Sequence, residues 1–122
     1  MKSVLIIDDN EAVRDAFELA LDDAGYVIDK AESGERGLEM AVSNKPDLVF
    51  LDLRMPGMDG VEVLREFRDA DANVPVYIVT AFHQEYLDRL NDATNDGISF
   101  ELARKSLSGD QIRAIVRTVL GK

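Results

Sequence analysis

The chain has 122 residues, 46% hydrophobic and 31% charged, which suffices for one core under a solvated surface and argues against disorder. Its formal net charge of −10 argues against a nucleic-acid-binding surface, since a phosphate backbone needs a Lys/Arg footprint. Lack of cysteine excludes disulfides, zinc thiolates and thiol catalysis, and no apolar run approaches the roughly 18 residues of a membrane span.

The start Met1-Lys2-Ser3 runs into a short apolar stretch and then Asp8, which is too short for a signal peptide. One cytoplasmic domain covering residues 1–122 is therefore expected. Residues 4–7 form a continuous apolar run, as in a strand buried on both faces. Residues 11–24 carry Val13, Ala16, Phe17, Ala20, Leu21 and Ala24 at helical spacing, with Gly25 placed to end that helix. Residues 26–31 read as a more polar edge strand. Ser33 can cap a helix with Leu38, Ala41 and Val42 on its inner face, ended by Pro46.

Residues 48–51 are the second wholly apolar run. Pro56-Gly57 makes a loop, and residues 60–69 read as a helix burying Val61, Leu64 and Phe67. Residues 74–79 form the next strand, Tyr86, Leu87, Leu90 and Ala93 mark a fourth helix, and residues 98–102 a fifth strand. Ser108 and Gln111 form an S-x-x-Q capping box that opens a last helix with Ile112, Ile115, Val116 and Val119 inward. This is a (βα)5 pattern. It implies an α/β fold, a doubly wound five-stranded parallel sheet, with order 2-1-3-4-5 of the flavodoxin-like kind as the leading topology. Ligands in such sheets bind outside the carboxyl ends of the strands.

Those ends carry the chemistry. Strand 1 ends in Asp8-Asp9, strand 3 in Asp52 and strand 4 in Thr80, and Lys105 follows strand 5. Taken singly, each has a plainer role. Asp8-Asp9 suits a helix N-cap, Asp52 a turn, Thr80 a strand and Lys105 a solvated surface. The conjunction at four successive connections reverses those readings. Three clustered carboxylates repel one another, so at least one pKa should rise or a cation should be present. Mg²⁺ suits such a site, being a hard cation that uses one or two carboxylates plus a phosphate. A carboxylate can also accept a phosphoryl group as a nucleophile, and Thr80 and Lys105 could then serve the phosphoryl oxygens.

The segments VLIIDDN at 4–10, DLVFLDLRMPGMDG at 47–60, PVYIVTAF at 75–82 and the lysine of ARKSL at 103–107 resemble the receiver domain of bacterial two-component response regulators. The likeness covers essentially the whole chain, and its most specific part is D-L-x-M-P-x-M-D-G. It implies a phosphorylation-activated switch that is not an enzyme beyond catalysing its own phosphorylation and dephosphorylation. Asp52 would be the phospho-acceptor, charged by a histidine kinase or a phosphotransfer protein. Asp8, Asp9, Asp52 and the backbone carbonyl of Arg54 would hold Mg²⁺. Thr80 would bind a phosphoryl oxygen, Lys105 would pair with the phosphate, and Ala81 would leave room beside them. The side chains of Arg54 and Phe82 would overhang the site and tune dephosphorylation, or simply be half-buried loop residues. Switching would act on the face built by helix 4, strand 5 and helix 5, which could also serve a homodimer or a downstream effector.

Two departures stand out. The family has Lys-Pro with a cis bond after strand 5, and here the pair is Lys105-Ser106, so either a trans bond with a shifted loop or a retained cis bond is expected. The family's switch aromatic lies three residues before the lysine, where this chain has Leu102, with Phe100 the nearest aromatic. Switching through the backbone and Leu102 packing is the corresponding expectation. His83 reads as an exposed loop residue, and Met55 and Met58 as packing for the loop. A phosphorylation-independent interaction module of the same fold is the main alternative. An aspartyl phosphatase would carry D-x-D on strand 1, which Asp8-Asp9 lacks, and no nucleotide-binding glycine motif is present.

Overall fold

Alternate residues on the two central strands point to opposite faces of the sheet, and both faces are apolar, so each face must be covered by helices. The computed structural model describes residues 1–70, 73–81 and 83–121, without the side chain of His83. Its elements are β1 (Ser3–Ile7), α1 (Glu11–Ala20), β2 (Val27–Ala31), α2 (Gly34–Ser43), β3 (Leu48–Leu51), α3 (Gly60–Ala70), β4 (Val76–Thr80), a 3₁₀ turn (His83–Tyr86), α4 (Leu87–Asn95), β5 (Glu101–Arg104) and α5 (Gly109–Leu120). The five strands pair in parallel in the order β2-β1-β3-β4-β5, as the sequence pattern implies.

Val4, Ile6, Leu48 and Phe50 face α1 and α5, where they meet Phe17, Leu21, Ile112 and Val116. Phe50 lies between Phe17 and Tyr77, with ring centroids 4.7 and 6.0 Å away. Leu5, Ile7, Val49 and Leu51 face the other way, onto Val61, Leu64, Phe67 and Leu90. Met55 is buried in this second cluster and Met58 packs against it, so both methionines anchor the loop after β3. The α5 capping box forms as read: Ser108 Oγ accepts from the Gln111 N–H and Gln111 Oε1 from the Ser108 N–H.

Two boundaries differ from the sequence reading. The α1 helix stops at Ala20 and not at residue 24. The chain then tightens into turns, with the Asp22 N–H on Leu19 and the Ala24 N–H on Leu21, before Gly25 at φ +80°. The last strand occupies Glu101–Arg104 and not residues 98–102. A Schellman closure of α4 claims the start of that segment: the Gly97 N–H bonds Thr94 O and the Ile98 N–H bonds Ala93 O, with Gly97 at φ +84°. Ile98 and Phe100 then pack as loop residues against the core, and Arg68 takes the Ser99 carbonyl through Nε and Nη2. Smaller shifts start β2 at Val27 and place β4 at Val76–Thr80.

Candidate functional site

The carboxyl ends of β1, β3 and β4 and the loop after β5 meet at one edge of the sheet. Register holds them there: the Asp8 N–H bonds Ala31 O, the Asp52 N–H bonds Ile7 O and the Lys105 N–H bonds Thr80 O. Asp8 and Asp52 are each 3% exposed and Thr80 is fully buried, whereas Asp9 faces solvent. One carboxylate oxygen from each of Asp8, Asp9 and Asp52 lies within 4.8 Å of the others.

In the buried pair each Oδ1 is held by a backbone N–H, and the two Oδ2 atoms share one ammonium. Asp52 Oδ1 accepts from the Leu53 N–H at 3.0 Å, and Asp52 Oδ2 lies 3.5 Å from Lys105 Nζ. Asp8 Oδ1 accepts from the Asn10 N–H at 2.9 Å, and Asp8 Oδ2 pairs with Lys105 Nζ at 2.8 Å. Lys105 thus bridges both carboxylates, and the Lys105-Ser106 bond that follows it is cis. Ala81 follows Thr80 and is exposed at the rim. Arg54 lies two residues past Asp52 with its guanidinium 3.6 Å from Glu85. Phe82 lies outside the described residues, as does the side chain of His83.

Burial, and then the nearby Asp8 charge, push the Asp52 carboxyl above its ordinary range, against the opposing pull of Lys105. For Lys105, burial favours loss of the proton, but the Asp8 hydrogen bond and the Asp52 charge outweigh it and raise its pKa. A carboxyl raised in the folded state contributes stability that is present below its unfolded value and is lost as pH rises through its folded one. At neutral pH without divalent cations the ionised Asp52 is therefore a net cost to folding. Asp52→Asn is expected to stabilise the metal-free protein by about 1 kcal/mol, or a few degrees in Tm. Thermal melts should show that gain at pH 7 and its shrinkage as pH falls towards 4.

Several supporting residues were not picked out by the sequence reading. Asn10, and not Asp8 or Asp9, is the N-cap of α1: its side chain accepts from the Ala12 and Val13 N–H groups, which leaves both aspartates for the site. The D-D-N-E string held that signal. Arg14 reaches back to the Asp8 carbonyl at 2.6 Å. Gly60 opens α3 against the Asp52 backbone, its N–H bonded to Leu53 O. Asp59 caps α3 by accepting from the Val61 and Glu62 N–H groups while Glu62 accepts from the Asp59 N–H. An apolar cleft of about 330 Å³ between α2 and α3, lined by Leu38, Ala41, Phe67 and Val74, lies at the opposite end of the strands from the carboxylates.

The response regulator receiver domain family model matches residues 4–117. Sporulation initiation phosphotransferase F of Bacillus subtilis is 33% identical over 98% of this chain and 94% of its own length. Transcriptional regulatory protein AfsQ1 of Streptomyces coelicolor is 43% identical over 66% of this chain, a match that spans only 36% of that protein. Among solved structures, the response regulator TrrA of Thermotoga maritima, in complex with Mg²⁺-BeF, superposes with a TM-score of 0.82 at 33% identity over 98% of this chain and 99% of TrrA. The chemotaxis protein CheY4 of Vibrio cholerae, at 23% identity and a TM-score of 0.84 over 98% of each chain, shares the fold. With the sheet order, the acidic edge and a family match across nearly its full length in agreement, the chain belongs to the receiver domains of response regulators.

Proposed function

We propose that the chain is a phosphorylation-activated switch in which Asp52 accepts a phosphoryl group from a histidine kinase or a phosphotransfer protein. The observation that carries this reading is a buried Asp52 carboxylate, clustered with Asp8 and Asp9, that shares the Lys105 ammonium with Asp8. Three carboxylates in that space suit a hard divalent cation, and Mg²⁺ would be held by Asp8, Asp9, Asp52 and the backbone carbonyl of Arg54. TrrA, solved in complex with Mg²⁺-BeF, supports Mg²⁺ as the cation. When bound, Mg²⁺ would offset the carboxylate charge and that of the phosphoryl oxygens.

The Asp52 oxygen that is not bonded to the Leu53 N–H attacks phosphorus. A P–O bond forms, the bond to the donor breaks, and the donor leaves with the electron pair. Lys105 turns from the Asp8–Asp52 pair to the incoming phosphoryl oxygens, and the Thr80 hydroxyl serves another of them. Hydrolysis later returns phosphate and free Asp52. The chain is thus not an enzyme on a separate substrate, and it works in the cytoplasm. Its output acts through the face of α4, β5 and α5, where Leu87 and Leu102 are 48% and 43% exposed, towards an effector or a second copy. With so much of Leu102 in solvent, switching falls to backbone shifts more than to its packing.

The test is mass spectrometry after incubation with Mg²⁺ and acetyl phosphate. A single phosphoryl adduct is expected on the wild type, dependent on Mg²⁺ and absent from Asp52→Asn. Wild-type protein that takes up neither a phosphoryl group nor berylliofluoride would instead be a phosphorylation-independent interaction module of receiver fold.

A further inference from the structure

We infer that Arg89 and Glu85 are positioning residues that tie the loop after the phospho-acceptor to α4 and carry the state of the site to that helix. The inference rests on the reading of Asp52 and its neighbours given above. Two ion pairs join the loop after β3 to the segment 85–89. Arg54 at its start faces Glu85 at 3.6 Å, and Asp59 at its end receives both Arg89 Nη1, at 2.5 Å, and Arg89 Nη2, at 3.3 Å. A fork of this kind fixes orientation as well as distance.

The second pair is built into its surroundings. The Asp59 side chain is only 18% exposed and also caps α3, so its position is set by the Val61 and Glu62 N–H groups before Arg89 arrives. Arg89 lies over the Tyr86 ring, 5.8 Å from its centroid. Burial opposes ionisation of Asp59, but the Arg89 and backbone hydrogen bonds more than offset it and hold its carboxyl below the ordinary range.

Among the described residues, the start of α4 is otherwise held by Tyr86, which packs against the core. Tyr86 supplies no side-chain cap, and Leu87 is 48% exposed, whereas deeper in the helix Leu90 and Ala93 are buried, and Asp96 just past its end is paired with Arg65. A movement of the loop when a phosphoryl group and Mg²⁺ arrive would therefore reach α4 through Arg89 and Glu85. This route does not need the aromatic that position 102 lacks.

The experiment is amide NMR of the full chain, with and without saturating Mg²⁺ and berylliofluoride, on wild type, Arg89→Gln and Arg89→Lys. In wild type, signals should move both at the site (residues 8–10 and 52–54) and in residues 83–95. In Arg89→Gln the site signals should still move, while the shifts in residues 83–95 fall by about half or more, as expected when a coupling of ordinary size is cut. Arg89→Lys should restore part of the response, which a merely structural loss would not explain. Shifts of wild-type size in residues 83–95 of Arg89→Gln would overturn the inference while leaving the reading of the site intact. Absence of any shift in wild type would sink that reading, and this inference with it.

Discussion

Gly60→Val is expected to prevent stable folding, and Gly60→Ala to cost about 3 kcal/mol or more. A Cβ at this position would lie 2.7 Å from Leu53 Cα and nearer still to the Asp52 carbonyl oxygen. Both obstacles are backbone atoms of the segment leaving β3, so no side-chain rotation relieves the overlap. The Gly60 N–H bonds Leu53 O at 2.8 Å, and the close approach that permits this bond brings α3 onto the end of β3. Opening that contact would move Val61 and Leu64 out of the cluster they share with Leu51, and would move Asp52 away from Asp8. Urea denaturation followed by circular dichroism checks the prediction. A Gly60→Ala midpoint within error of wild type would show that the helix can back away at no cost.

Lys105→Met should destabilise the metal-free protein at neutral pH by about 2 kcal/mol, below the usual cost of breaking a fully buried pair because the lysine side chain is partly exposed, at 19%. The methionine keeps most of the stem's packing but leaves Asp8 and Asp52 facing each other without the shared ammonium. Losing that cation must raise the Asp52 carboxyl further above its ordinary range. The penalty is therefore expected to be largest at neutral pH and to shrink as acid protonates Asp52, since the neutral carboxyl no longer needs the cation. At the alkaline end the wild type should lose the Lys105 contribution only above the ordinary lysine value, because its folded pKa is raised. Saturating Mg²⁺ should recover part of the loss by stabilising the folded form alone. Melting curves of both proteins between pH 4 and pH 8 test this. A penalty independent of pH would mean that Lys105 acts through packing and not through charge.

The layering of the fold and the ingredients of the site are legible in the amino-acid order. Wholly apolar runs at 4–7 and 48–51 can be satisfied only when both faces of the strand are covered, which dictates a doubly wound sheet. Because parallel strands all end at the same edge, the residues after those runs had to converge. Asp8, Asp9, Asp52, Thr80 and Lys105 are therefore directed to one edge by their places in the chain.

Packing settled the matters that depend on competition for the same backbone groups or on residues far apart in sequence. Ile98 and Phe100 have strand-like composition, but the Schellman closure at Gly97 and the grip of Arg68 on Ser99 took them out of the sheet and moved β5 to Glu101–Arg104. The cap of α1 went to Asn10, because Asp8 and Asp9 lie further back at the end of β1. The pairing of Asp59 with Arg89 spans 30 positions, and no local pattern encodes it. Local periodicity records which side of an element is buried, whereas a contact between distant charges exists only once packing has brought their elements together.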